Sequence, residues 1–186
     1  MTIGFALCGS FCTYAQVFPV LEILAQEHTV IPIFSQIAYT TDSRFGTAEG
    51  HIQRAAHICG TQPLHTIAEV EPIGPKKLLD ALIIAPCTGN TLAKLAHSIA
   101  DGPVTMAAKS HLRNGRPVLL AVSTNDALAG AAENIGKLMG KKNYYFVPFG
   151  QDDPQKKPTS MVADFTKIPQ ALTLALAGQQ MQPMLL

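Results

Sequence analysis

The segment DALIIAPCTGNT, residues 80–91, constrains this chain most. Residues 81–86 are apolar on both alternating faces, which suits a strand covered by helices on either side rather than one half open to water. Four polar or small residues follow, Thr88-Gly89-Asn90-Thr91, and then Leu92, Leu95, Ala96 and Ile99 recur at helical spacing. A buried strand that passes through a short polar loop into a helix is the repeating unit of an α/β fold.

The rest of the chain repeats that unit. Residues 2–8 read as a first strand ending at Gly9-Ser10. Val17, Val20, Leu21 and Leu24 mark a helix that Pro19 should bend or delay. Residues 29–35 read as a second strand, with Pro32 pointing to a sheet edge. A helix is expected near 47–59 and a short strand at 64–67. A helix over 103–113 should stop at Asn114-Gly115. Strand 117–123 leads into a helix through Leu128, Ile135 and Met139. Residues 144–147 form the last expected strand and 150–160 a flexible, proline-interrupted loop. A final helix carries Met161, Phe165, Ile168, Leu172 and Leu176. The expected architecture is a single three-layer, Rossmann-like domain over 1–178, with a doubly wound parallel sheet and a frayed tail, 179–186.

Composition narrows the function classes. Lys and Arg number 14 against 13 Asp and Glu, a formal charge of +1, too balanced for a chain that coats nucleic acid or an anionic membrane. Charged residues make up 15%, where about 25% is usual, as expected if other subunits cover part of the surface. No apolar run reaches the roughly 20 residues of a membrane span, and the apolar N-terminus has no basic region before it. A cytoplasmic protein is expected. Cys8, Cys12, Cys59 and Cys87 form no CxxC pair and read as reduced thiols, each a small buried residue. The six histidines lack metal-ligand spacing, so no metal site is expected. Of them His51 and His57, after the loop that follows Ser35, come nearest to a chemical role. No Gly-x-Ser-x-Gly elbow is present.

In covered parallel sheets, ligands sit beyond the carboxyl ends of the strands. Here Gly9-Ser10, Ser35 and Thr88–Thr91 are the polar strand ends. A helix start offers unpaired N–H groups to an anion, and glycine allows close backbone approach. Each motif alone is equally explained by turn chemistry or by a helix cap. Two such starts in one sheet, without a P-loop lysine or a GxGxxG fingerprint, favour a mononucleotide cofactor with a single phosphate.

Gly9-Ser10 and APCTGNTLAKLAHSIAD (85–101) resemble the flavoprotein family of homo-oligomeric flavin-containing decarboxylases and the related prenyl-flavin synthases. The likeness runs over nearly the whole chain. It implies a Rossmann-like domain that binds FMN between subunits. It places Gly9 and Ser10 at the flavin phosphate, Ser35 facing the flavin, Thr88, Gly89, Asn90 and Thr91 at the phosphate and ribityl chain, and Ser123 near the ring or substrate. Asn125 matches an Asn that holds a substrate carboxylate. Residues 71–128 resemble one branch from spore-forming bacteria. That likeness implies one component of an oxidoreductase, working with a dehydrogenase-like A subunit that brings NAD(P), with a small cyclic dicarboxylate as substrate.

Three departures bear on activity. Pro72 stands where the family's decarboxylases carry a catalytic His, and proline has no proton to move. The stretch before Asn125 has no Met, and the cysteine-bearing substrate flap is replaced by GQDDPQKKPTS. No catalytic base is identified. Lys156-Lys157 in that replacement are candidate cations for a dicarboxylate. Alternative readings are a non-catalytic binding or scaffold subunit, and an FMN-dependent decarboxylase of another substrate.

Overall fold

The computed structural model describes residues 1–186. Five parallel strands form the centre: β1 (Thr2–Leu7), β2 (Thr29–Phe34), β3 (Ala81–Cys87), β4 (Val118–Thr124) and β5 (Tyr144–Phe146). Their spatial order is β2-β1-β3-β4-β5. Every residue of β3 is buried, as its unbroken apolar run requires. Phe5, Ile83 and Leu119 are nearly or fully buried and lie side by side across the three central strands. Pro32 sits on β2, the edge strand. The expected strand at 64–67 reduces to one bridge between Leu64 and Ile33, because Thr66 caps a helical turn instead.

The helices are α1 (Tyr14–Glu27), α2 (Gln36–Thr40), α3 (Ala48–Cys59), α4 (Ile67–Val70), α5 (Gly89–Ala96), α6 (Pro103–Leu112), α7 (Ala132–Met139) and α8 (Ile168–Leu176). They pack as two sets, α1 with α3 and α8, and α4 to α7 among themselves. Strand order reverses after β2, so α1 and α3, which follow β1 and β2, and α5 to α7, which follow β3 and β4, fall into separate sets. Pro19 lies inside α1, which runs through it unbroken. Helix α5 ends before Ile99, and α7 begins after a run of turns at 125–131 rather than at Leu128.

The sheet is not wholly parallel. Strands β6 (Phe149–Gln151) and β7 (Met161–Ala163) form an antiparallel arm, and β7 pairs with Ser123 and Thr124 at the end of β4. The segment read as a loop is therefore the connection of this arm, and Met161 belongs to a strand, not to the last helix. Three-residue strands leave too little periodicity to announce themselves. The tail differs from the frayed end expected: Leu185 bridges to Phe149, the Leu186 amide bonds the Phe149 carbonyl, and Met181 is buried.

Candidate functional site

Strands β1 and β3 are neighbours, yet the chain leaves them toward opposite sides of the sheet. This is a switch point, where a crevice opens beyond the strand ends. Gly9 after β1 and Thr88 and Asn90 after β3 line two adjoining cavities of about 980 and 350 Å³. Ser10, Gly89, Ser123 and Asn125 line only the larger one, Ser35 and Thr91 only the smaller. The nine residues singled out from the sequence thus face one crevice.

Their hydroxyls are differently occupied. Ser10 and Ser123 bond each other at 2.7 Å across the larger cavity's floor. Ser35 accepts the Ala38 amide and so caps α2. Thr88 accepts the Thr91 amide at 3.3 Å, the helix cap foreseen as its alternative role. The Thr91 hydroxyl is buried, donates to the Cys8 thiol at 3.3 Å and lies 3.1 Å from the Thr88 hydroxyl. Gly89 and Asn90, the first two residues of α5, have no helical carbonyl to bond, so their amides are the free donors of the helix start. A Cβ on Gly89 would stand 2.8 Å from both Thr124 Oγ1 and Asp126 Oδ1. Only glycine fits that cradle.

Beneath the crevice the ionisable groups Cys8 and Tyr14 are buried and neutral. Burial pushes the Cys8 thiol up to about 11, and burial with the nearby Cys8 raises the Tyr14 phenol. Tyr14 donates to the Cys8 carbonyl at 2.9 Å. Low-polarity backing strengthens whatever hydrogen bonds the free amides make.

Of the wall residues, Arg44, Phe45 and Asp126 were not singled out from the sequence. A turn closed by the Ser43–Gly46 bridge carries Arg44 and Phe45 at its tip over the larger cavity. The polar run 40–50 was the only sign of it. Asp126 enters from the turns after β4, where it accepts from the Thr124 hydroxyl. Lys157 lines the cavity and Lys156 does not. Lys157 pairs with Asp152 at 3.0 Å, and although burial works to raise that carboxyl, Ser160 and the Lys157 ammonium hold it below its usual range. Cys12 is exposed in the cavity wall, against the expectation of a buried thiol. His51 lies behind the wall among Phe11, Tyr14 and Phe18, and His57 is exposed on the outer side of α3. Pro72 lies in a helical turn packed on α6 and lines neither cavity. No group of three or more His, Cys, Asp or Glu side chains is placed to hold a metal.

The family model described as Flavoprotein matches residues 1–166. The chain belongs to that family. It is 47% identical over 184 residues to the B subunit of dipicolinate synthase of Bacillus subtilis (strain 168), covering 98% of this chain and 92% of the relative. The crystal structure of the corresponding B subunit from Bacillus halodurans C aligns with 45% identity and a TM-score of 0.91, over 100% of this chain and 95% of that one. The FMN-dependent cysteine decarboxylase SpaF shares the fold at 21% identity, with a TM-score of 0.70 over 95% of each chain. Within this family two features of the crevice suit a flavin mononucleotide: free amides at a helix start, and a volume at the upper end of the roughly 300–1,000 Å³ usual for ligand sites.

Proposed function

We propose that this chain serves as the B subunit of a dipicolinate synthase, acting with a dehydrogenase-like A subunit to oxidise dihydrodipicolinate to dipicolinate during sporulation. The observation that carries this reading is 47% identity along nearly the full length of a protein of that name. The setting implied is the mother-cell cytoplasm, with the chain as a homo-oligomer whose ligand sites lie between neighbouring copies.

In this reading FMN occupies the crevice, with its phosphate on the amides of Gly89 and Asn90 and the hydroxyl of Ser10. Gly9 gives backbone access there. Thr88 and Thr91 hold the helix start in shape, Ser35 and Ser123 face the ring, and Asn125 offers its amide to a substrate carboxylate. A bound flavin supplies a hydride acceptor, and NAD(P) enters through the A subunit. Aromatisation removes one hydride and one proton from the dihydro ring, so the assembly also needs a proton acceptor.

A second reading, a non-catalytic holder of substrate or of the A subunit, is favoured by one observation. The carboxylates in the larger cavity are both engaged, Asp126 by Thr124 and Asp152 by Lys157. A decarboxylase of another substrate is opposed by Pro72. The deciding experiment measures turnover of dihydrodipicolinate by the A subunit with and without this chain, beside the visible spectrum of the purified protein. Faster turnover and flavin absorbance are expected. Equal rates would remove the catalytic claim, and a colourless protein unchanged by added FMN with faster turnover would select the holder.

A further inference from the structure

Four charged side chains line the larger cavity: Arg44, Asp126, Asp152 and Lys157. Lys157 is neutralised by Asp152 at 3.0 Å, and Asp126 keeps its negative charge while it accepts from the Thr124 hydroxyl. The seven ion pairs of the molecule leave Arg44 out. It is the one cation of the cavity without a carboxylate, so a dianion entering there finds its uncompensated positive charge on this residue.

The turn that carries Arg44 is built to hold it. Asp42 accepts the Ala48 amide at 2.8 Å, and Ser43 and Gly46 exchange backbone hydrogen bonds at 2.9 and 3.1 Å. Gly46 has φ of 134°, a conformation that favours glycine, and a Cβ there would press within 2.8 Å of the buried His51 ring. At the tip the Arg44 guanidinium lies 4.8 Å from the centre of the Phe45 ring. Stacking uses the face of the guanidinium and leaves its N–H donors free at the edge. Phe45 itself is 45% exposed in the cavity wall, so part of its ring is open to a ligand.

We propose that Arg44 is the residue that makes this site specific for a dicarboxylate, gripping one carboxylate of the ring substrate in a bidentate pair while Phe45 packs against the ring. The assignment rests on the proposed function and adds to it the group that tells two carboxylates from one.

Pyridine-2,6-dicarboxylate and pyridine-2-carboxylate are titrated by calorimetry into the wild-type protein and into Arg44→Gln, Arg44→Lys and, as a charge control outside the cavity, Lys76→Gln. The wild type and the control should prefer the dicarboxylate by about 10- to 100-fold, the weight of hydrogen bonds to a charged group. Arg44→Gln should lose that preference, and Arg44→Lys should regain part of it, because lysine keeps the charge without the fork. An unchanged preference in Arg44→Gln overturns the assignment alone. A wild type that binds neither compound overturns it together with the functional reading. FMN titrated into the same proteins separates a carboxylate from a phosphate. An equal response in wild type and Arg44→Gln is expected, and a loss confined to FMN gives Arg44 to the phosphate and overturns the assignment.

Discussion

The wall built from the strand ends and the wall built from the 43–46 turn and the 152–160 connection face each other across the larger cavity, and they are made differently. On the first, positions are fixed from behind: β3 is wholly buried, Thr88 caps α5, and Thr91 is tied to Cys8. What it offers a ligand is backbone amides and neutral hydroxyls. On the second, Arg44, Phe45 and Lys157 are exposed and carry charge or aromatic surface. The rigid, buried-backed wall suits a ligand group held in one fixed position, and the exposed wall suits one that is contacted at the surface. Discrimination is cheap to change on the second wall and expensive on the first.

Stability should divide along the same line. Ile84 is fully buried in β3 beside Ala6 of β1 and Leu120 of β4. Ile84→Ala should cost about 2–5 kcal/mol in urea denaturation, through lost burial and the cavity left behind. Arg44→Ala, at an exposed tip, should stay within about 0.5 kcal/mol of wild type. Comparable losses from both would dissolve the distinction between the walls.

A smaller effect tests the far end of the rigid region. His111 on α6 is fully buried, and its Nε2 lies 3.1 Å from the Pro117 carbonyl, just before β4. A carbonyl only accepts, so Nε2 carries the hydrogen and Nδ1 is left unprotonated without a partner. Burial, opposed in part by that hydrogen bond, lowers the imidazole to about 4. The unfolded chain takes up its proton near pH 6.5, so between there and pH 4 the unfolded state binds more protons and stability falls as pH falls. The loss is at most about 3 kcal/mol and levels off below pH 4. His111→Asn should flatten that part of the pH–stability curve relative to wild type, and an unchanged slope would remove His111 from the account.

The same contrast explains what the sequence made legible. The parallel strands were readable because burial on both faces demands long apolar runs, and Gly9-Ser10 and Thr88–Thr91 stood out as polar interruptions of them. Their gathering at one crevice follows from the strand order, which sets β1 beside β3 and which the alternation of elements does not by itself specify. The arm of β6 and β7 was not readable: two three-residue strands separated by a proline-interrupted polar stretch carry no period, and beside their pairing with each other they are specified by partners far along the chain, at Ser123, Thr124 and Leu185. Nor was Arg44, whose place depends on a glycine turn packed on His51 rather than on any motif. The tail looked unanchored because it is held by backbone bonds to Phe149, by the Gln180 side chain on the Phe146 backbone and by the single buried Met181, none of which makes a periodic pattern.

The smallest effect separates two kinds of support within the rigid wall. Thr88 supplies a cap, and Asn90 supplies a position at the helix start whose side chain no other group engages. Thr88→Ala should cost about 1 kcal/mol of stability, the usual worth of an N-terminal cap, and free the Thr91 amide. A ligand anion would meet that freed amide, so added FMN should recover part of the lost melting temperature, since a ligand that binds only the folded state stabilises it. Asn90→Asp should behave in the opposite sense. A carboxylate in the first turn favours the helix and leaves stability unchanged or slightly raised, while its charge repels a phosphate held by the neighbouring amides. Thermal melts of both variants with and without FMN read all four values. If Asn90→Asp kept the full FMN-induced shift, the amides of Gly89 and Asn90 would not be where the phosphate sits, and the rigid wall would be holding only itself.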